Sequence, residues 1–505
     1  MNRNRLRSRI RWGVIRAHDR PGFRAAYRTL CRWGTLRVGA VLGRLSGVEA
    51  VYLRHSHPWS ESFVPAHSDL DLTVVLREEA AEDPARIEAI ASSVRGLARL
   101  HPYVEENDVR LTTREDLARL TRDFSAPVEI LYRPEDWRRL HGEEVRAVAS
   151  RPFPPARLPW QPEFHKWWSH HLQNRLYERR GGPEGRYLRP IYRDSLKNQL
   201  HLAVASGSPV RESGGPVRDD LPRGIFAPES TGLEELLAGI RHRRFWSDEP
   251  TATTERVVYA VLREVRAFVE RTVSSDTSSA VGRAADEIDP GEPGDPALAD
   301  IGRDLVRRRD LSRHLEGVFV CPPAFPRPDL HLVELLLPDD LPEDRFRAVV
   351  ASIREHFGSR CALIGGRSCQ LTLRPICTFR DPRFLLGTST PFLAEHFLRF
   401  GRTVHGPDLR SAWRGIDREE WRRWCAVFLP FHQFNYRRHL DPASRAQALR
   451  EIAVVRRFLE SGRIDGGDRE PAEVPRAIGE ASFEALGREY DAVEASLRGA
   501  GAVAS

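Results

Sequence analysis

Apolar residues along this chain keep two rhythms, and the places where one gives way to the other divide it. From Leu70 to Val74 they recur at every second position, which predicts a strand over Leu70–Leu76. Leu70, Leu72, Val74 and Leu76 would face a core, with Asp69, Asp71 and Thr73 on the opposite face. Val48–Leu53, Asp108–Thr113 and Val128–Tyr132 read as further strands, Pro84–Leu100 as an amphipathic helix, and another helix begins near Arg114. From about Trp160 to Val273 the spacing becomes helical, in Trp167, Trp168, Leu172 and Leu176 and again in Leu196, Leu200, Ala203 and Val204. Val257, Val258, Val261, Leu262, Val265 and Val269 mark a further helix, with Thr253 or Thr254 as its cap. Ahead of all this, Ile10, Val14, Leu36, Val41, Leu42 and Leu45 stand at helical spacing among arginines.

Ser274–Pro296 is rich in Ser, Asp, Gly and Pro and reads as a linker. Beyond it the alternation returns: strands at Gly317–Val320, Leu330–Leu337 and Cys369–Leu373, a helix at Glu343–Phe357, then helix again from about Arg418. The order therefore runs α/β, helical, linker, α/β, helical, which predicts an α+β protein with an internal duplication. The expected parts are a basic helical segment (1–47), an α/β domain (48–150), a helical domain (151–273), the linker (274–296), a second α/β domain (297–415) and a helical C-terminal region (416–505).

Composition narrows the class. With 505 residues, 41% hydrophobic and 30% charged, the chain has enough apolar material for several cores and the balance of a soluble globular protein. No apolar run approaches the roughly 20 residues of a membrane-spanning helix, and Met1–Arg20 lacks the apolar centre of a secretory signal. A net charge of +7 suits an anionic ligand such as a nucleotide without requiring nucleic acid. The basic side is almost all arginine, Lys166 and Lys197 being the lysines. Six cysteines, Cys31, Cys321, Cys361, Cys369, Cys377 and Cys425, form no CxxC pair; buried thiols in a reducing cytoplasm account for them better than a zinc ribbon.

Asp69 and Asp71 carry the candidate chemistry. Two carboxylates two residues apart on a strand stand side by side on one face and repel unless a cation sits between them. Mg²⁺ accepts one or two carboxylates together with phosphate oxygens. Asp is also a poor strand former, so two within a strong strand call for a reason. The bland alternative is an acidic, solvent-facing sheet surface.

The segment Val51-Tyr52-Leu53-Arg54-His55-Ser56, followed by Ser68-Asp69-Leu70-Asp71-Leu72, resembles the signature of nucleotidyltransferases of the DNA polymerase β superfamily: a strand, Gly-Ser, a loop, then Asp-x-Asp in a second strand. The resemblance covers about Val48 to Asp136, and His55 stands where the family has glycine. It implies a mixed sheet with helices, an NTP substrate cradled near His55, Ser56 and Ser68, and a metal cluster completed by a third carboxylate from a later strand. Asp108 fits that role, with Glu105, Glu106 and Glu129 as rivals, and Val128–Tyr132 would be the strand closing the domain. Two Mg²⁺ ions would then serve transfer of NMP to an acceptor hydroxyl, one activating that hydroxyl and one holding the triphosphate.

Leu315–Val320 is similar to Val48–Leu53, and Asp329-Leu330-His331-Leu332 to Asp69-Leu70-Asp71-Leu72. Gln370-Leu371-Thr372-Leu373 likewise echoes Arg110–Thr113, with Ser368 in the place of Asp108. On this pairing the second copy keeps the scaffold and lacks the metal site. Tyr187, Arg189, Tyr192, Arg193, Lys197 and Asn198 are candidates to line an acceptor cleft, or else the polar face of a helix over an aromatic core. The acceptor, a small molecule or a macromolecule, has no motif of its own. An Arg-rich start would anchor phosphates if the acceptor were a nucleic acid. The competing class is a non-catalytic nucleotide-binding or scaffold protein, which His55 favours.

Overall fold

Two mixed β-sheets with helices laid against them give the chain an α+β architecture. The computed structural model describes residues 12–17, 20–54, 58–59, 63, 70–101, 103–104, 108–117, 137–145, 171–177, 185–205, 232–275, 296–323, 330–379, 397 and 400–408, with isolated positions between 440 and 495. The first sheet contains β1 (Val48–Leu53), β2 (Leu72–Leu76), β3 (Val109–Thr113) and β4 (Arg138–Gly142), in the order β3-β2-β1-β4. β1 and β2 are antiparallel, with Val51 opposite Val74 and Leu53 opposite Leu72. β3 lies parallel to β2, and β4 antiparallel to β1 with a register shift between Val51 and Tyr52.

One face of this sheet is apolar because every second residue is: Val51, Leu53, Leu70, Leu72, Val74, Leu76, Val109 and Leu111 share a core. Two helices cover it. Helix α1 (Pro21–Gly43) contributes Val38 and Leu42, and α2 (Pro84–Leu100) contributes Ile87, Ile90, Ala91, Val94 and Leu97. The start of α2 is fixed by Asp83, whose carboxylate accepts from the Ala85 and Arg86 N–H groups, and by Pro84 in the first turn. Expectation and structure agree on Pro84–Leu100 as an amphipathic helix.

The second sheet contains β5 (Gly317–Cys321), β6 (His331–Leu337), β7 (Cys361–Ile364), β8 (Arg367–Pro375) and β9 (Arg402–His405), in the order β7-β8-β6-β5-β9. Four of its strands, β8-β6-β5-β9, repeat the directions of the first sheet: β5 and β6 antiparallel, β8 parallel to β6, β9 antiparallel to β5. Val318 faces Leu335 and Val320 faces Val333, as Val51 faces Val74 and Leu53 faces Leu72. β9 even carries a register shift between Val318 and Phe319, where β4 has one between Val51 and Tyr52. A glycine at φ +80° ends or follows each outer strand, Gly142 and Gly406. A Cβ on either would overlap a backbone carbonyl of the neighbouring strand, Glu49 or Glu316. Helix α6 (Pro296–Arg307) precedes the sheet and α7 (Glu343–Phe357) joins β6 to β8, the places α1 and α2 hold in the first unit.

These registers correct the pairing expected between the halves. Leu332 faces Cys321 across the sheet, and the Arg54 N–H donates to the Asp71 carbonyl, so Leu332 occupies the place of Asp71 and His331 that of Leu70. By the parallel pairs, Gln370, and not Ser368, stands where Asp108 stands. A slip of one residue exchanges the faces of a strand, and the Asp-x-His spacing in Asp329-Leu330-His331 invited it.

Helices α3 (Arg189–Ala205), α4 (Leu233–His242) and α5 (Pro250–Ser275) were expected to form a domain of their own. They share one continuous core with the second sheet, in which Leu196, Leu237, Val261 and Val265 join Val318, Val333 and Leu371. Gln173 clasps β8 directly, donating to the Leu373 carbonyl (2.7 Å) and accepting from its N–H (2.8 Å). Arg354 of α7 donates to the Leu176 carbonyl and pairs with Glu255 of α5. Thr253 and Thr254 lie inside the first turn of α5 and bond back to Glu249 and Pro250; Ser247 Oγ accepts from the Glu249 N–H just ahead of the helix. Residues 276–295, which hold nearly all of the expected linker, lie outside the described residues, as do Val128–Tyr132 and most of 416–505.

Candidate active site

At the end of β1 the backbone alternation that points Val51 and Leu53 into the core turns Tyr52 and Arg54 to the other face. Asp71 precedes β2 beside Arg54, and Asp108 precedes β3 beside Asp71, flanking the paired residues Leu72 and Val109. Sheet order therefore lines up Asp108, Asp71 and Arg54 across one end of one face. Of the expected site residues, the structure brings Asp71 and Asp108 together. His55, Ser56, Ser68 and Asp69 lie outside the described residues, and so do the rivals Glu105, Glu106 and Glu129.

Arg54 is what sequence reasoning missed. Its side chain is 2% exposed, against 32% for Asp71, and its Nη2 lies 3.9 Å from Asp71 Oδ1. The same nitrogen donates to the Asp108 carbonyl at 3.1 Å and sits 3.5 Å from that of Leu72. One guanidinium thus ties together the backbones of β2 and β3 and the Asp71 carboxylate. Burying a charge is costly unless it is paired and hydrogen-bonded, and these contacts offset part of that cost. A signal was present in the sequence: Ala50, Tyr52 and Arg54 alternate with Val51 and Leu53, which puts Arg54 on the face of Asp71.

Deeper on this face the sheet stays polar. Thr73 is fully buried, and among the described residues its hydroxyl has no hydrogen-bond partner. The Tyr52 hydroxyl accepts from the Val145 N–H (2.9 Å) and lies 3.1 and 3.0 Å from the Glu143 carbonyl and Glu144 Oε1. Its ring packs near Trp137, 6.2 Å between centroids. These contacts fasten the chain after β4 across the sheet.

The carboxylate oxygens of Asp71 and Asp108 are hard donors of the kind Mg²⁺ takes, and the chemistry of the set fits a divalent cation. Among the described residues no three His, Cys, Asp or Glu side chains gather as a metal site. Arg54 already places one positive charge beside Asp71.

The candidates for an acceptor cleft sit in a packed helical core. Tyr192 and Phe245 meet edge to face at 5.1 Å, Arg189 lies over the Phe245 ring at 4.9 Å, and Tyr187 packs against Trp246. Asn198 is fully buried, while Arg193 is exposed and Lys197 half-buried. These helices belong to the core of the second sheet.

On the second sheet the same face is closed. Phe319 and Cys321 replace Tyr52 and Arg54, and with Leu336, Ile376, Phe379 and Phe397 they form a small apolar core, on which Leu332, in the place of Asp71, also packs. Burial pushes the thiols up, Cys369 to about 12 and Cys321 well above its ordinary value. Cys361 is exposed, an exception to the expectation of buried cysteines.

Comparison of the chain with protein-family models, with curated proteins and with solved structures gives no match in any of the three. Among the described residues no helix is long and apolar enough to cross a membrane.

Proposed function

We propose that the first unit is a metal-dependent nucleotidyltransferase domain of the DNA polymerase β type, and that the second is a duplicated, non-catalytic copy. The observation that carries this reading is the placement of Asp71 and Asp108 on neighbouring parallel strands at one end of a sheet whose second strand is antiparallel to the first. The resemblance calls for the pair Asp69 and Asp71 from one strand and a third carboxylate, Asp108, from a later one, and the neighbouring placement of Asp71 and Asp108 supports it. Mg²⁺ held there would neutralise the phosphates of an NTP and polarise an acceptor hydroxyl. The chain's own residues orient the ligands: Arg54 fixes the spacing of β2 and β3, and the Tyr52 hydroxyl holds the segment after β4. The shared strand directions, register shift and glycine contacts of the two sheets support the duplication.

Charge counting refines the site. Three carboxylates and Arg54 sum to −2, which one divalent ion balances. A second ion would need the negative charge of the triphosphate. We therefore expect metal and nucleotide to bind cooperatively.

Arg54 also favours a second reading, a nucleotide-binding or scaffold domain in which the guanidinium has taken over the role of a metal. Two unit charges 4 Å apart interact by about 4 kcal/mol at the effective dielectric of a protein surface, so Arg54 opposes a cation beside Asp71. Calorimetry with each NTP, with and without Mg²⁺, on the wild type, Asp71→Asn, Asp108→Asn and Arg54→Met separates the two. The enzyme reading expects binding that needs Mg²⁺ and falls by about tenfold or more in each Asp variant, a loss of charge-assisted contacts. Metal-independent binding that disappears in Arg54→Met would establish the second reading. A folded wild type that binds no NTP under either condition would refute the enzyme reading and leave the scaffold role.

A further inference from the structure

The positive charge of this protein is concentrated at one end. Residues 1–48 contain twelve arginines and one acidic residue, Asp19, a net of +11, which leaves −4 for the rest of a chain whose total is +7. Half of those arginines, from Arg20 to Arg44, lie in or next to α1. That helix is pinned by its inner face. Cys31, Thr35, Val38, Gly39 and Leu42 are buried, and Gly39 and Gly43 leave room for Leu140 and His141 of β4. Its outer face therefore points away from the sheet, and that face is not polar. Leu30 is 65% exposed, Trp33 71% and Leu36 46%, which makes them three of the six most exposed large apolar side chains described. Leu30 and Trp33 are one helical turn apart, with the exposed Arg37 a turn further on. Among the described residues no carboxylate pairs with Arg20, Arg24, Arg37 or Arg44.

The helix in the same place in the second unit shows what an ordinary outer face looks like. α6 exposes Ala299, Arg303 and Arg307 and no large apolar residue. Its charges are neutralised at home, Arg303 by Asp300 and the neighbouring Arg308 by Asp304. Position in the fold does not require what α1 displays.

We infer that the outer face of α1 docks on an anionic lipid surface, with Leu30, Trp33 and Leu36 entering the boundary between headgroups and acyl chains and Arg37 and Arg44 beside them meeting lipid phosphates. A helix lying in the interface needs both features, apolar side chains on one face and basic residues beside them. A nucleic acid would engage the arginines but would leave Leu30 and Leu36 in water. A second copy of the chain would bring like charges face to face, which opposes self-association through this surface. The helix is about 34 Å long at 1.5 Å per residue, ample to lie flat on a bilayer. This inference is independent of the nucleotide chemistry proposed above.

Flotation of the full chain with vesicles tests it. The probes are phosphatidylcholine alone and phosphatidylcholine mixed with phosphatidylserine, across a salt series, with thermal melts run on the same samples. The wild type should float with the anionic vesicles, release as salt rises, and stay behind with neutral ones. Leu30→Ser/Trp33→Ser, at exposed positions, should lower partitioning about tenfold or more with an unchanged melt. Arg37→Gln/Arg44→Gln, both exposed, should lower it by about tenfold or more, each charge near the surface contributing about fivefold. Equal partitioning to neutral and anionic vesicles, or no partitioning of the wild type, overturns the inference. So does vesicle binding indifferent to the Leu30/Trp33 change. Salt-sensitive binding of nucleic acid without vesicle binding, or a dimer dissolved by Leu30→Ser/Trp33→Ser, would assign the face to another occupant and overturn it as well.

Discussion

The two sheets agree on one face and differ on the other. Toward their helices, Val51, Leu53, Leu72, Val74, Val109 and Leu111 in the first correspond in register to Val318, Val320, Val333, Leu335, Leu371 and Leu373 in the second. On the opposite face Tyr52, Arg54, Asp71, Thr73 and Asp108 stand against Phe319, Cys321, Leu332, Glu334 and Gln370. The scaffold depends on burial of one face and on a few backbone approaches, so the other face can exchange a polar, partly open end for an apolar seal. What distinguishes a candidate site from a support is then confined to a handful of side chains on a common frame.

The largest consequence lies in the second sheet. Where the first has Thr73 and Thr112, the second buries an ion pair, Glu334 with Arg374, at 2.6 Å and with both side chains 5% exposed or less. Burial raises the Glu334 carboxyl above its ordinary range, and Arg374 opposes that shift. Removing one partner strands the other charge in the interior, so Glu334→Ala should cost roughly 3–5 kcal/mol in chemical denaturation. Glu334→Leu with Arg374→Met should recover most of that loss, because well-packed apolar replacements avoid the desolvation penalty. NTP binding at the first sheet should be untouched by either variant. A double variant as unstable as Glu334→Ala would mean that the pair holds the sheet together by more than mutual compensation.

The frame itself is tested by Gly142 and Gly406. Both have φ +80°, and a Cβ on either collides with a carbonyl of the adjacent strand. The left-handed backbone alone costs an alanine about 1–2 kcal/mol, and the collision adds to it. Gly142→Ala and Gly406→Ala should therefore each destabilise by about 2 kcal/mol or more, each in the unfolding of its own sheet. Unequal losses, with one variant near zero, would break the correspondence between the two outer strands.

Much of this frame was legible in the sequence, for reasons that also mark where legibility ends. Strands β1, β2, β5 and β6 declare themselves because their inward residues alternate with others over five or more positions, and α2, α5 and α7 because Ile87, Ile90 and Val94 or Val257, Val261 and Val265 recur each turn. β4, β7 and β9 were invisible. Arg138–Gly142 and Arg402–His405 are edge strands with no fully buried residue, and an edge strand needs little apolar periodicity. The site was read in half. Asp71 and Asp108 are individually conspicuous, but Arg54, at the end of the strand beside Asp71, is legible only from its alternation with Val51 and Leu53. The residues Tyr187 to Asn198 had two readings, an acceptor cleft implied by the family resemblance or a polar helix face over an aromatic core. The contacts of Tyr187 with Trp246 and of Tyr192 with Phe245 supply such an aromatic core, and Glu255 and Tyr259 of α5 bond to the second unit.

The smallest expected effect separates the units by acid. Asp310, just after α6, accepts from Ser352 Oγ at 2.5 Å and pairs with His356 Nε2 at 2.8 Å, both on α7. These hydrogen bonds, Ser352 first, hold its carboxyl at about 2, below the ordinary 3.8. A carboxyl with a lowered folded-state pKa contributes stability that is fully present above its unfolded value and is lost as pH falls through the folded one. The window is therefore about pH 4 down to about pH 2. Asp310 and His356 are partly exposed, so solvent screening leaves about half a kcal/mol or less of this at neutral pH. In the first unit α2 takes its local carboxylate contact from its own cap, Asp83, and not from a neighbouring turn. Asp310→Asn should accordingly lower stability slightly at pH 7 in urea titrations that follow the second unit, and the difference from wild type should close by pH 2. A deficit that persists unchanged at pH 2 would mean that Asp310 acts through packing and not through its charge, leaving the acid response of the two units alike.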